Sequence, residues 1–506
     1  MPTTLTTIAV LFSTCYWLLS CSGAGAWTAS LESRRRFSTL PLGAEDTPSS
    51  DHSYQLFNRR EALSRGLLVG GTVISPSSSL ADSAISTSTP NVPQSSSSSI
   101  SLLSEYHPTE YKTLPTNGRT VFPPSFLPPL NNRATYRYSL GRNAWALEQL
   151  LAFQNVTATI RTNVIKLEDG TLWVCNPLWP TEEYCALLDE LGPVKHAVLG
   201  SNALEHKAAM KQFLAKYPNI DDVWLSPGQY GPFGECGIVT DDMNEEQVYA
   251  LVKKASQTMG YRVDGILPVK AQKQGIRQSS MPKNMYPTWS NVFDYEVLCV
   301  QLPGNAGPVS EVAFVHKPTS TLIVTDAVIC VPSVSTSTTT DADDSTSKYP
   351  LQPIFSTYFD ETVLSDATFW QRTVLQAVFL PLRTDESGTY PGFDALKNRL
   401  VRAPILRAFT DSRAPDASLD WVKSISSLKF DRIVTSHFAS PINAGPALFT
   451  EAFAHLDQDA SLDELASVLP PISCQDWSTL NSLNEFIDSN NLGAKVVYDF
   501  KRECKD

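Results

Sequence analysis

The feature that most constrains how this chain can fold is a series of short apolar runs. Each breaks off at polar residues, and helical or turn-forming stretches separate them. TNVIKL (162–167) and TLWVCNP (171–177) flank a Glu-Asp-Gly turn at 168–170, the pattern of a hairpin. Thr181 then stands where a helix N-cap belongs, with Tyr184, Leu187 and Leu188 on one helical face. KHAVLGS (195–201) reads as the next strand, and SNALEH leaves it. KAAMKQFLAKYP reads as a helix, with Met210, Phe213, Leu214 and Tyr217 at helical spacing and Pro218 as its stop. Further strands are expected at DVWLSP (222–227), YEVLCVQLP (295–303), EVAFVHK (311–317), TLIVTDAVI (321–329) and RIVTSH (432–437). Strands interleaved with helices in this way argue an α/β layered fold. In such folds functional residues collect on the loops at strand ends.

Four strand-end residues carry chemistry: Glu205, His206, Asp326 and His437. Two imidazoles with two carboxylates are a donor set for one divalent metal, zinc or alternatively iron or manganese. Each residue alone also admits a plain role. Glu205 can be a solvated carboxylate at a helix start, where the helix dipole favours it. Asp326 can cap a helix, and His437 can be a satisfied core histidine. His196 and His316 lie inside strands and read as structural, and His455, in ALFTEAFAHL, reads as a surface or packing residue.

Taken in order, these residues resemble the second metal site of metallo-β-lactamase-like hydrolases. SNALEH stands where those proteins carry His-x-His-x-Asp-His, so His206 matches the final His and Glu205 stands at the Asp. Ser201 and Ala203 replace the two leading histidines. Pro303-Gly304-Asn305-Ala306-Gly307 resembles Pro-Gly-His-x-x-Gly, with Asn305 at the third histidine. Thr325-Asp326-Ala327-Val328 fits the Gly-Asp-x-hydrophobic signature, Ser436-His437 fits the last His, and Asn176 stands at the earlier Asp. The resemblance, over roughly residues 155–455, implies an αββα sandwich with insertions. It also implies loss of the first metal site and retention of the second, with Glu205 as a ligand or a catalytic base.

A narrower resemblance is to domain-of-unknown-function family 4336, a family largely of photosynthetic organisms and bacteria. It is carried by LEDGTLWVCNPLWPTEE through LDELGPVKHAVL, by PTSTLIVTDAVI and by SHFASPINAGPALFTEAF. That family names no substrate. Three functions stay open: a single-metal hydrolase of an ester, thioester or phosphoester; a metal-free binding or assembly module; and a redox use of the site with iron. No residue marks a flavin or oxygen partner for the third.

The amino terminus speaks of location. Residues 1–26 hold the apolar run IAVLFSTCYWLLS before small residues, a signal-peptide pattern too short for a stable membrane anchor. Residues 27–57 resemble a plastid transit segment. Residues 58–84, with Arg59-Arg60 before GLLVGGTVI, resemble a twin-arginine signal and point to the thylakoid lumen, the stroma or secretion being alternatives. Residues 85–130 read as a Ser/Pro-rich linker and arm, 131–460 as the metallo-β-lactamase-like domain and 461–506 as a helical tail containing CQDWSTLNSLNEFIDS. Two insertions are expected. Residues 228–294 contain the helical NEEQVYALVKKASQTMGY and are able to cover the site mouth, and 333–349 are low-complexity.

Charge and composition narrow the partners. Residues 1–84 hold six Arg and six acidic residues, so the net charge of −12 belongs to the rest of the chain. An acidic body without a basic run argues against nucleic acid and anionic membrane surfaces, leaving a small-molecule substrate or a plastid protein as partner. No run of 18 apolar residues occurs, so no integral membrane segment is expected in the mature chain. Seven of the nine Cys lie beyond the signal segment. They form no CxxC pair and imply no disulfide framework, and Cys175 and Cys330 read as buried thiols. Asn155-Val156-Thr157 is a sequon.

Overall fold

The computed structural model describes Leu102, 133–153, 156–231, 233–270, 286–301, 308–335, 349–366, 368–457, Leu465, 473–489 and Val496. The three targeting segments, nearly all of the linker, Asn155, Asn305 and most of the 333–349 insertion lie outside the described residues.

Seven strands form the first sheet in sequence order: β1 (Tyr136–Gly141), β2 (Ala144–Phe153), β3 (Val156–Lys166), β4 (Leu172–Cys175), β5 (Val194–Leu199), β6 (Asp222–Leu225) and β7 (Gly265–Ile266). The pairs from β1 to β4 are antiparallel and those from β4 to β7 parallel. The second sheet holds β8 (Phe293–Gln301), β9 (Pro308–His316), β10 (Thr321–Ile323) and β11 (Arg432–Val434), in the order β11-β10-β9-β8 with only β10 and β11 parallel.

Alternation along the strands decides the layering. Trp173 faces inward and its neighbours Leu172 and Val174 face outward, as period-2 geometry requires. The inner faces join Ile165, Trp173, Val198 and Trp224 to Phe293, Phe314, Ile323 and Val434. Trp173 is the hub, with ring centroids 4.5 Å from Phe293, 5.2 Å from Phe314 and 5.8 Å from Trp289. The outer face of the first sheet is covered by α1 (Glu182–Asp189), α3 (Met210–Lys216) and α4 (Glu245–Met259), with the one-turn α2 (Leu204–Lys207) lying between α1 and α3 in sequence. The outer face of the second is covered by α6 (Pro415–Ser426) and α7 (Pro446–Glu451). Helix, sheet, sheet, helix is the αββα sandwich the resemblance implied. A further apolar cluster joins α5 (Phe369–Ala377) to Ile354, Phe393 and Trp477.

Local signals explain the helix ends. The Thr181 side chain accepts from Tyr184 N and caps α1. Asn244 and Gln247 form a capping box at α4, and Gly260 ends it at φ 71. Val248, Ala255 and Met259 bury that helix in the outer layer of the first sheet. The tail helix α8 (Ser478–Ser489) is tied to Arg413, which reaches Asn484 Oδ1 at 2.6 Å and Asp488 Oδ1 at 3.2 Å. Cys474 is disulfide-bonded, which the cysteine spacing did not indicate. Cys175 and Cys330 are buried free thiols; burial pushes Cys330 up to about 12. No helix among the described residues is long and apolar enough to cross a membrane.

The hairpin β1–β2 was not expected from the sequence. Its turn places Arg142 and Asn143 at φ 53 and 56, a conformation usually signalled by Gly, and β2 buries Glu148 and Gln149 where apolar residues would be expected.

Candidate metal centre

The strand-end loops meet where the two sheets are stitched together. Beyond β5 the chain crosses to the second sheet: Val312 N donates to Gly200 O at 2.7 Å, and Ser201 bridges to Glu311. Asn202 fixes this crossing. Its amide donates to Pro308 O at 2.6 Å and Gly228 O at 3.1 Å, and its Oδ1 accepts from Ser310 N at 3.0 Å. The next turn, α2, carries Glu205 and His206.

Asp326 lies three residues beyond β10, and the carboxylate of Glu311 holds its loop. Oε1 of Glu311 accepts from Thr325 N at 2.7 Å and from Asp326 N at 3.2 Å. Burial first, then the charge of Asp326, raises the Glu311 carboxyl well above its ordinary value. His437 lies three residues beyond β11. Its Nδ1 is 2.7 Å from Thr159 O, a contact only an Nδ1–H can make favourably, so Nε2 keeps its lone pair for the site.

The structure brings together all four residues expected to form the site. One ligand atom from each of Glu205, His206, Asp326 and His437 lies within 4.8 Å of the others. Asp326 Oδ1 is 3.1 Å from His437 Nε2 and 3.7 Å from His206 Nε2. The two imidazole rings meet edge to face, 5.3 Å between centroids. Donors sharing an ion at roughly 2 Å are at most about 4 Å apart, so small side-chain movements would place all four on one ion.

The carboxylate and the imidazoles of the cluster act strongly on one another. Burial opposes ionisation of Asp326, yet His206 and then His437 outweigh it and hold its carboxyl well below the usual carboxylate range. Burial also disfavours the His437 cation, but Asp326 and, less strongly, Glu205 raise its pKa above the ordinary value. His206 is fully buried, and both of its ring nitrogens lack a hydrogen-bond partner. A buried imidazole left so costs about 1–3 kcal/mol, and a ligated ion removes that cost.

Of the residues standing where the resemblance expects a first site, the described ones make local hydrogen bonds. Asn176, at φ 52, donates to Thr325 Oγ1 at 2.9 Å and accepts from Gly200 N at 2.8 Å, tying β4, β5 and the Asp326 loop together. Ser201 Oγ accepts from Ala203 N at 3.1 Å, and Asn305 lies outside the described residues. His196 pairs with Asp222 at 2.9 Å, His316 with Thr319 at 2.8 Å and His455 with Asp411 at 3.0 Å, all away from the cluster. Glu311, Asn202 and Thr159 were not foreseen. Glu311 could have been noticed as a lone charge opening an apolar strand.

A family model described as Domain of unknown function (DUF4336) matches residues 142–390 and 384–455. No curated protein matches the chain. Among solved structures, a fragment of diflavin flavoprotein A 5 from Nostoc sp. PCC 7120 is 12% identical, with 64% of this chain and 95% of that chain covered and a TM-score of 0.32. The metal-soaked Flv1 flavodiiron core from Synechocystis sp. PCC6803 is 8% identical, with coverage of 64% and 61% and a TM-score of 0.32. A mutant flavo di-iron protein from Thermotoga maritima is 9% identical, with coverage of 65% and 64% and a TM-score of 0.32. The chain spans less than two thirds of the last two. Likenesses this slight carry no argument about the site.

Proposed function

The chain belongs to the DUF4336 family, whose model spans more than half of it, and we propose that it is a single-metal hydrolase of an ester, thioester or phosphoester. His206, Asp326 and His437 would hold the ion, zinc or alternatively iron or manganese, with Glu205 beside them as a fourth ligand or as a base. The observation that carries this reading is the fully buried His206 imidazole, its ring nitrogens without a hydrogen bond, facing a carboxylate and a second imidazole. A bound ion with an open position would acidify water and polarise a carbonyl or phosphoryl oxygen. His437 presents Nε2 because Thr159 O engages Nδ1. Glu205, partly exposed on the first turn of α2, either completes the ligand set or takes the proton from the attacking water. We further propose the thylakoid lumen of the plastid as its location, a reading supported by the stacked amino-terminal segments; a fluorescent fusion of residues 1–100 that is secreted or cytosolic would refute that location.

A second reading, a metal-free binding or assembly module, is favoured by one observation: Asn176 and Ser201 are absorbed into local hydrogen bonds. Turnover separates the two. The zinc-loaded chain is assayed against ester, thioester and phosphoester panels beside Glu205→Gln. Zinc-dependent hydrolysis of one class, reduced about 100-fold or more in the variant, is expected. No turnover on any class contradicts the hydrolase.

A further inference from the structure

The segment carrying His437 is docked residue by residue on β3. Arg161 N donates to Ser436 O at 3.1 Å, His437 Nδ1 meets Thr159 O at 2.7 Å, and Arg161 Nη2 donates to Phe438 O. Arg161 is fully buried, as is Glu148, its register partner on β2, and Arg161 Nε donates to Glu148 Oε2 at 2.7 Å. Gln352 closes the cluster. Its amide donates to Glu148 Oε2 at 3.2 Å and Phe438 O at 3.4 Å, and its Oε1 accepts from Thr159 Oγ1 at 3.4 Å. The Asp326 side repeats the device. Arg402 Nη1 donates to Ala327 O at 2.9 Å, and its other nitrogens grip buried Asp411 at 2.9 and 3.0 Å. The carbonyl immediately after each of these two residues is therefore held by a buried arginine paired with a buried carboxylate.

Stability alone does not explain such pairs. Burying an ion pair is often no better for stability than well-packed apolar side chains of the same volume. What these pairs supply is direction: rigid donors aimed at two backbone carbonyls. Phe438, at φ 54, is in a left-handed conformation that a bulky residue keeps only when its surroundings impose it. We propose that Arg161, Glu148 and Gln352, with Arg402 and Asp411 as their counterpart, are positioning residues that fix the tautomer and aim of His437 and the placement of Asp326. This rests on the metal reading above.

The test uses the full chain with Arg161→Lys and, as the milder change, Gln352→Leu. Zinc affinity and the absorption spectrum of the cobalt(II)-loaded protein are measured on folded material. In parallel, 15N histidine spectra of the metal-free protein, recorded at a pH high enough to leave the His437 ring neutral, report its tautomer. The expected result is a zinc affinity about 10–100-fold weaker with an altered cobalt spectrum. His437 should be Nδ1-protonated in the wild type and a tautomer mixture in the variants. Wild-type nitrogen signals with unchanged affinity in both folded variants would overturn the proposal, as would a wild type lacking the Nδ1–H form. A wild type that binds no metal refutes the hydrolase reading alone, because the nitrogen signals still judge the positioning claim.

Discussion

His206 and His437 illustrate what residue identity can and cannot disclose. Both were legible as strand-end imidazoles, because strand ends in a layered fold are where sites gather. The residues that orient them were not, since Thr159, Glu148 and Gln352 come from segments carrying no motif. Arg161 and Glu148 left one faint signal, opposite charges inside adjacent apolar runs. The histidines outside the cluster make a separate prediction. Burial first, then the charge of Arg432, lowers the His316 pKa from 6.5 to about 4. The folded chain thus favours the neutral ring. The stability this gives is complete above an unfolded value of about 6.5 and is lost as pH falls from there towards about 4. Denaturant titrations of the metal-free chain at pH 7 and pH 4.5 should show a smaller loss of stability in His316→Gln than in the wild type. An identical loss would show that His316 titrates normally. At Asn176, replacement by Ala leaves Gly200 N without its acceptor and puts a residue that tolerates the left-handed region less well than Asn at φ 52, a change expected to cost about 1–3 kcal/mol by the same titration at pH 7.

Elements were read best where a local stop or cap accompanied the periodicity. Thr181 ahead of Tyr184, Leu187 and Leu188 located α1, and its side-chain cap is present. Thr181→Ala should therefore lower stability by about 1 kcal/mol, seen as a lower Tm with unchanged zinc binding; no change in Tm would remove the cap from the account. The hairpin β1–β2 failed to show itself for a physical reason. A two-residue turn at positive φ is normally announced by Asn-Gly or Asp-Gly, and here Arg142-Asn143 makes it. The buried Glu148 and Gln149 then spoil the alternation of β2. The strands before the two ligand loops proved shorter than their apolar runs suggested. In the second sheet the ladder of TLIVTDAVI stops at Ile323 and that of RIVTSH at Val434, because the residues just beyond leave the regular strand to form the site loops.

At the scale of the whole molecule, the order of strands and helices argued a layered α/β fold, and the family resemblance supplied the two sheets with helices outside. The stitching of one sheet to the other was not visible, because it depends on backbone pairing between β5's tail and β9. The inter-sheet core rests on Trp173, which is fully buried among three aromatic rings. Trp173→Ala should cost about 3–5 kcal/mol, enough to threaten folding of a marginally stable domain. The central claim, however, concerns the ion between the sheets, and elemental analysis of the purified chain tests it most directly. The account predicts about one equivalent of zinc, iron or manganese per chain after dialysis, and its loss in the His206→Ala/His437→Ala double variant that still folds. A wild-type chain without metal, or a folded double variant with its metal content unchanged, would contradict it.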